Sequence, residues 1–333
     1  MIYFITQEWA NTHGNHAGMV YLYKKIHEFD SKHTRTIVLP KPQQKILFIL
    51  EVIVLLFQLI LKARTGDKIL FTECLSRRLD QVYMAKIIKV FRPAIHVSCM
   101  VHLIPEQLEM VFPKQNYASL LSCMDKVITL GSSLTDYLIR KGCDESKMVT
   151  LYHYVDNVYY TPELRVSKIG NYKGKMTCIV MGSLGRDFQQ LAEIVHSSDM
   201  HFIICKGQRQ VDDLFKGLNN VELKGFLEES ELKSLMDASD ISLNVMKDTI
   251  GSNVICTSMA MGLAMVCSDV GSIHDYCDDT NAFFCKSTED FVKVLQDLSR
   301  EPEKVIEMKK SSFEKSKRLS IECYYKDLQK KLS

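Results

Sequence analysis

Met176-Thr177-Cys178-Ile179-Val180-Met181-Gly182-Ser183-Leu184-Gly185-Arg186-Asp187-Phe188 carries an apolar run of strand length through a glycine-bearing turn into a stretch with helical spacing. A buried strand followed directly by a glycine turn and a helix is the opening unit of a parallel α/β sheet. Downstream the alternation continues. Strands are expected at 201–205, 221–224, 240–245 and 264–267. Helices are expected at 188–196, 211–218, 229–237, 253–261, 289–300 and 302–317.

Upstream the same rhythm has already run once. Strands are expected at 1–6, 35–39, 67–72, 95–101, 126–130 and 149–152, with helices at 18–29, 46–61, 78–91, 117–123 and 132–141. The polar segment 164–174, with Gly170 and Gly174, reads as a linker. The expected organisation is therefore domain 1–163, linker 164–174, domain 175–317 and a C-terminal helix at 318–333. Two doubly wound sheets in tandem are expected to face each other across a cleft, with ligands at their strand ends.

Composition agrees with a globular chain of 333 residues, 46% hydrophobic and 25% charged. The formal net charge of +2 gives no field for nucleic acid. Residues 1–165 carry 20 Lys and Arg against 15 Asp and Glu, a mildly basic half that suits an anionic surface or substrate. The eleven cysteines are scattered singly, mostly inside apolar runs, as buried free thiols are, and no Cys or His spacing matches a metal site. The chain opens into Ile2-Tyr3-Phe4-Ile5 without the charged start of a signal peptide, which predicts a cytoplasmic protein.

Residues 46–61 are apolar except for Glu51 and Gln58. Gln44, Glu51 and Gln58 recur every seven residues and Lys62 follows on the same narrow stripe. The run is shorter than a bilayer span and carries a carboxylate. It reads as a helix buried against a sheet, with a helix lying peripherally on the inner face of a membrane as the second reading.

Strand ends supply the candidate chemistry. The turn after the first strand, Asn11-Thr12-His13-Gly14-Asn15-His16-Ala17-Gly18, brings small residues to a helix start. Gly14, His16 and Gly18 are its candidates for the acceptor side. His102 follows the strand at 95–101, where it can give or take hydrogen bonds near neutral pH. Arg186 can pair bidentately with phosphate oxygens, and Gly182 and Ser183 let the backbone approach. Lys206 ends the next strand. Ser252 and Asn253 open an apolar helix whose N–H groups and dipole favour a diphosphate.

An ordered series of motifs then resembles the retaining glycosyltransferases of family four. It runs from Val127-Ile128-Thr129-Leu130-Gly131-Ser132 through Leu151-Tyr152-His153-Tyr154-Val155-Asp156 and Leu223-Lys224-Gly225-Phe226. It ends in Ser258-Met259-Ala260-Met261-Gly262-Leu263-Ala264 and Asp269-Val270-Gly271. The resemblance covers residues 126–285 and implies a GT-B fold of two Rossmann-like domains. It also implies a nucleotide diphosphate sugar as donor, no cofactor or bound metal, retention of configuration and Phe226 beside the nucleobase. Two departures stand out. His153-Tyr154 replaces an asparagine-glycine pair, and the family's two donor-site glutamates fall at Thr249 and Thr257, leaving Asp248, Asn253 and Thr257 as substitutes.

The expected function is glycosyl transfer to a glycan or lipid-linked acceptor in cell-surface polysaccharide synthesis. His102, Arg186 and Asp248 are its catalytic candidates. The rivals are a sugar-nucleotide epimerase and a non-catalytic GT-B partner subunit.

Overall fold

The computed structural model describes residues 1–7, 14–39, 45–76, 79–163 and 166–333, without the side chains of 45–47. Asn11, Thr12 and His13 of the first turn, Gln44, Arg78 and the first two linker positions lie outside the described residues. The chain forms two compact units, Met1–Tyr152 with Ile321–Ser333, and His153–Ser320.

The first unit runs β1 (Ile2–Gln7), α1 (Met19–Phe29), β2 (Thr34–Leu39), α2 (Lys45–Lys62), β3 (Lys68–Cys74), α3 (Asp80–Phe91) and β4 (His96–Val101). It continues through α4 (Pro105–Val111), α5 (Tyr117–Leu121), β5 (Lys126–Thr129), α6 (Ser132–Arg140) and β6 (Met148–Thr150). Its strands pair in parallel in the order β2-β1-β3-β4-β5-β6. Side chains on both faces of β1, β3 and β4 are buried, as continuous apolar strands under two helical layers must be.

The second unit runs β7 (Thr177–Met181), α7 (Phe188–His196), β8 (His201–Cys205), β9 (Val221–Lys224), α8 (Glu229–Ala238), β10 (Ile241–Asn244) and α9 (Asn253–Ala260). After these come β11 (Ala264–Ser268), α10 (Ile273–Tyr276), β12 (Ala282–Cys285), α11 (Thr288–Arg300) and α12 (Pro302–Ser316). Its order is β12-β11-β10-β7-β8-β9, again all parallel. Two six-stranded parallel sheets flanked by helices are the α/β architecture expected from the rhythm.

The last helix, α13 (Ile321–Leu332), belongs to the first unit. The Tyr23 and Tyr324 hydroxyls share a buried hydrogen bond of 2.8 Å, and Tyr325 Oη donates to Asp30 at 2.6 Å. That contact pulls the Asp30 carboxyl below its ordinary pKa.

Two local expectations need correction. Residues 211–218 form only a 3₁₀ turn at Asp212–Phe215 rather than an α-helix. Gly217 at φ +84° closes the segment before an α turn can propagate. The helix expected at 46–61 does bury one stripe (Phe48, Leu56, Leu59), but Leu50, Ile53, Val54, Phe57 and Leu61 are all more than half exposed. Apolar residues lie on nearly every side of this helix, and only one stripe of them is buried. Among the described residues no helix is long and apolar enough to cross a membrane.

One ionic contact locks the linker onto the second sheet. Lys309 Nζ, almost fully buried on α12, donates to Asp240 Oδ1 at 3.1 Å and to the Lys168 carbonyl at 2.9 Å. Asp240 Oδ2 accepts from Thr177 N at 3.0 Å and from Gly170 N at 3.2 Å. Breaking a buried pair by removing one partner costs about 3–5 kcal/mol. Lys309→Met should therefore lower the unfolding free energy of the second unit by about that amount in chemical denaturation.

Candidate functional site

In the second unit the strand order reverses direction between β7 and β10, so the loops leaving these two neighbours diverge and open a crevice at their carboxyl ends. The residues after β7 are held there by the residues after β10. Arg186 and Met246 form an antiparallel bridge, Asp187 N donates to the Val245 carbonyl at 3.1 Å, and Lys247 N donates to the Gly185 carbonyl at 2.8 Å. Gly182 turns at φ +81°, a conformation that favours glycine.

Two side chains converge on that glycine. A Cβ on Gly182 would stand 3.2 Å from Val254 Cγ2, in the first turn of α9, and 3.6 Å from both Nε and Nη2 of Arg186. The guanidinium therefore lies beside the start of α9. Arg186 Nε and Nη1 are buried with no hydrogen-bond partner. Burial lowers the Arg186 pKa to about 10, with Cys267 opposing the shift, so the group stays cationic at neutral pH. A buried charge with unsatisfied donors is unfavourable unless an anion arrives to pair with it.

The start of α9 adds to that field. Ser252 is its N-cap, accepting from Ile255 N at 3.3 Å, and Asn253 follows as the first helical residue. N–H groups of the first turn and the positive end of the helix dipole point out of this end. The loop before it is tightly packed. A Cβ on Gly251 (φ +90°) would sit 2.1 Å from Tyr276 Oη, and one on Gly271 would sit 2.3 Å from Asp248 Oδ1. Tyr276 Oη accepts from His153 N at 2.8 Å, anchoring the segment that opens the second unit. His153 and Tyr154 thus replace a glycine turn without left-handed backbone, their rings stacked at 5.4 Å.

The other candidates on this sheet edge divide. Lys206 Nζ pairs with Asp212 at 2.9 Å and donates to the Arg209 carbonyl at 3.1 Å, so its charge is met locally and holds the Asp212 carboxyl below its ordinary range. Arg209 reaches the β7 loop instead, its Nη2 donating to the Ser183 carbonyl at 3.5 Å. The strand-end rule that singled out Lys206 extends to Arg209 three residues on. Phe226 follows β9, two strands from β7 and so about 10 Å along the edge, with its ring largely exposed. Asp248 Oδ1 accepts from Thr249 N at 2.7 Å. Thr257 Oγ1 donates back to the Asn253 carbonyl at 2.7 Å and is buried. Both side chains thus engage nearby backbone.

The first unit has its own candidates at the carboxyl ends of its strands. His102 follows β4, and its Nε2–H donates to the Thr72 carbonyl of β3 at 2.5 Å. Because a carbonyl only accepts, this fixes the proton on Nε2 and leaves Nδ1 as an acceptor. Burial lowers the His102 pKa to about 4, so the ring is neutral at pH 7 and is a weak base. Gly14 turns at φ +78°, Gly18 caps α1 without a side chain, and the His16 ring lies 4.8 Å from that of Tyr21. Missed from the sequence is Leu75, buried just past β3 at φ +51°, where the β3–β4 register also shifts. A buried non-glycine residue in the left-handed region is strained by about 1–3 kcal/mol. It marks the end of the central strand β3.

With this geometry in place, comparison with known proteins is informative. Residues 154–301 match the sequence family described as glycosyl transferases group 1. Among solved structures, the chain superposes on HepE of Anabaena, crystallised with UDP, at a TM-score of 0.70 and 14% identity over 99% of each chain. Sucrose-phosphate synthase of Thermosynechococcus elongatus gives 0.73 at 12% identity, over 99% of this chain and 98% of that one. The lipopolysaccharide outer core galactosyltransferase WaaB gives 0.71 at 10% identity, over 100% and 99%. The fold is GT-B. No curated protein sequence matches the chain.

In this GT-B chain, Arg186→Leu should raise the unfolding free energy of the ligand-free protein, by about 1–3 kcal/mol, because it removes buried unsatisfied donors. Chemical denaturation measures it. For His102 the folded pKa lies below the unfolded one. As pH falls from about 6.5 to about 4 the unfolded state takes up the proton first, and stability drops through that window. His102→Gln keeps a donor for Thr72 and should flatten this pH dependence in denaturation curves.

Proposed function

We propose that the chain transfers a glycosyl group from a nucleotide diphosphate sugar to a glycan or lipid-linked saccharide acceptor, in the assembly of a cell-surface polysaccharide. The observation that carries this reading is the half-buried Arg186 guanidinium beside the first turn of α9, whose Nε and Nη1 are buried without a hydrogen-bond partner. A diphosphate satisfies both at once, since its oxygens accept from the guanidinium and from backbone N–H groups. The match of residues 154–301 to the group 1 family supports the same chemistry. So does the occurrence of UDP and UDP-glucose in complexes of the structurally similar HepE.

In the transfer, the bond from the sugar C1 to the diphosphate oxygen breaks and a bond from C1 to the acceptor oxygen forms. The proton of the acceptor hydroxyl passes to the departing diphosphate oxygen. Negative charge grows on the departing diphosphate, and a cation already fixed in place stabilises it without reorganising. Arg186 supplies that charge, Arg209 adds to it through the Ser183 turn, and the exposed Phe226 ring offers a stacking face to the base. His102, neutral and with Nδ1 open as an acceptor, suits a hydrogen bond from a sugar hydroxyl better than proton abstraction. Retention of configuration and independence of metal follow from the family resemblance, and we adopt both as part of the proposal.

A non-catalytic partner subunit is the second reading. It is favoured by the engagement of Asp248 and Thr257 with their own backbone. A panel of nucleotide sugars with a saccharide acceptor separates the two. Acceptor-dependent nucleotide release supports transfer, whereas binding without release supports the subunit. Arg186→Ala should weaken UDP binding by about 1.5–3 kcal/mol, the worth of a charged hydrogen bond. Arg186→Lys should restore only part, since an ammonium lacks the planar fork. Equal calorimetric affinity for UDP in wild type and Arg186→Ala would sink the assignment.

A further inference from the structure

On an α-helix, residues 50, 54, 57 and 61 share one stripe, and in α2 that stripe lies opposite the buried one of Phe48, Leu56 and Leu59. The outermost line of the helix is therefore Leu50, Val54, Phe57 and Leu61, with Leu61 the most exposed at 67%. Glu51, Gln58 and Lys62 fall along one flank, not at the crest. The neighbouring helix repeats the pattern. In α3 the side turned away from the core carries Tyr83, Ile87, Val90 and Phe91, with Val90 77% exposed. The C-terminal ends of the two helices are fastened together, Arg92 just past α3 donating to the carbonyls of Ile60 at 2.5 Å and Ala63 at 2.7 Å.

Soluble monomers rarely leave so many large apolar side chains contiguous, and such a face marks a surface that is covered in use. The charge around it indicates by what. Residues 45–96, which hold both helices, carry nine Lys and Arg against four Asp and Glu in sequence, with Lys89 paired to Asp125 at 2.7 Å and Arg92 engaged with backbone carbonyls. Of the acids, Asp67 is bound to the N-terminal ammonium at 2.7 Å. Lys62 and Arg64 stand exposed at the C-terminal end of α2. Apolar side chains at the crest, aromatic rings among them and cations at the margin match an anionic lipid surface, whose tails accept the crest while its headgroups meet the rim.

We propose that the outer face of α2 and α3 docks this protein on an anionic bilayer, without crossing it. The apolar crest enters the headgroup boundary, and Lys62 and Arg64 pair with lipid phosphates. The inference is independent of what the strand ends bind.

The test is co-sedimentation of the full chain with vesicles of phosphatidylglycerol mixed into phosphatidylcholine, and with phosphatidylcholine alone. Wild type should sediment with the mixed vesicles, and less with the neutral ones or at raised salt. Phe57→Glu with Leu61→Glu should reduce the partition by about tenfold or more, since each removes one buried apolar side chain from the boundary. Val90→Glu with Phe91→Glu tests the α3 half in the same way. Lys62→Glu with Arg64→Glu should remove the preference for anionic over neutral vesicles. All these positions are exposed, so UDP titration and circular dichroism should match wild type, which keeps a failure of docking distinct from a failure of nucleotide binding. Wild type remaining in the supernatant with mixed vesicles would overturn the proposal. So would light scattering that reveals a dimer split by the α2 substitutions, because the face would then be covered by a second copy.

Discussion

Two guanidinium nitrogens buried without a hydrogen-bond partner, Nε and Nη1 of Arg186, are the constraint on which the second unit's strand-end crevice turns. Arg186 is carried into that position by backbone, not by its own side-chain contacts. Its strand-like bridge to Met246 and the reciprocal bonds of residues 185, 187, 245 and 247 tie the β7 loop to the β10 loop. This stitch works only because β7 and β10 are adjacent, and they are adjacent only because the strand order reverses there. The topology thus sets the charge, and the charge is costly until an anion pairs with it. A fold that retains such a cost at one place is one in which the unliganded state is not the most favourable partner for that residue.

The surrounding loops show how little freedom remains. Gly251 lies against the Tyr276 ring, and Gly271 lies against Asp248 and the Thr249 backbone, at distances no Cβ would tolerate. Tyr276 in turn accepts from His153. The start of the second unit, the loop before α9 and the turn after β11 therefore meet on one tyrosine and two glycines. Preorganisation of this kind fixes donors where charge will appear, at the expense of tolerance to substitution.

Much of this was legible in the chain. Strand runs of five or six apolar residues, broken by Gly, Pro and charged helices, marked out both sheets, with Gly182 and Arg186 in the turn after a strand and Ser252 at a helix start. Parallel pairing followed from the crossover helices. Three kinds of feature were not legible. Short elements such as β12, four residues long, carry no periodicity to read. Local charge pairing is invisible without coordinates, so the sequence singled out Lys206, whose charge Asp212 meets, and passed over Arg209, which reaches the Ser183 turn. Backbone strain at Leu75 has no sequence mark at all, since leucine is an unremarkable residue until its φ is known.

α2 illustrates the deeper limit. A helix apolar on nearly every side fixes its own secondary structure but not which stripe turns inward. The narrow polar stripe of Glu51, Gln58 and Lys62 suggested that everything else would be buried, yet a sheet can cover only about one face of a helix that has no further layer above it. The apolar surplus on α2 therefore cannot be explained by the fold that it caps. Folding alone would be served by lysines and glutamates at positions 50, 54, 57 and 61, which would also protect the chain from self-association. Apolar residues there make the free protein less soluble and contribute nothing to the core. Side chains with that balance of effects have to be accounted for by something outside the chain, just as the buried donors of Arg186 have to be accounted for by something that is not protein.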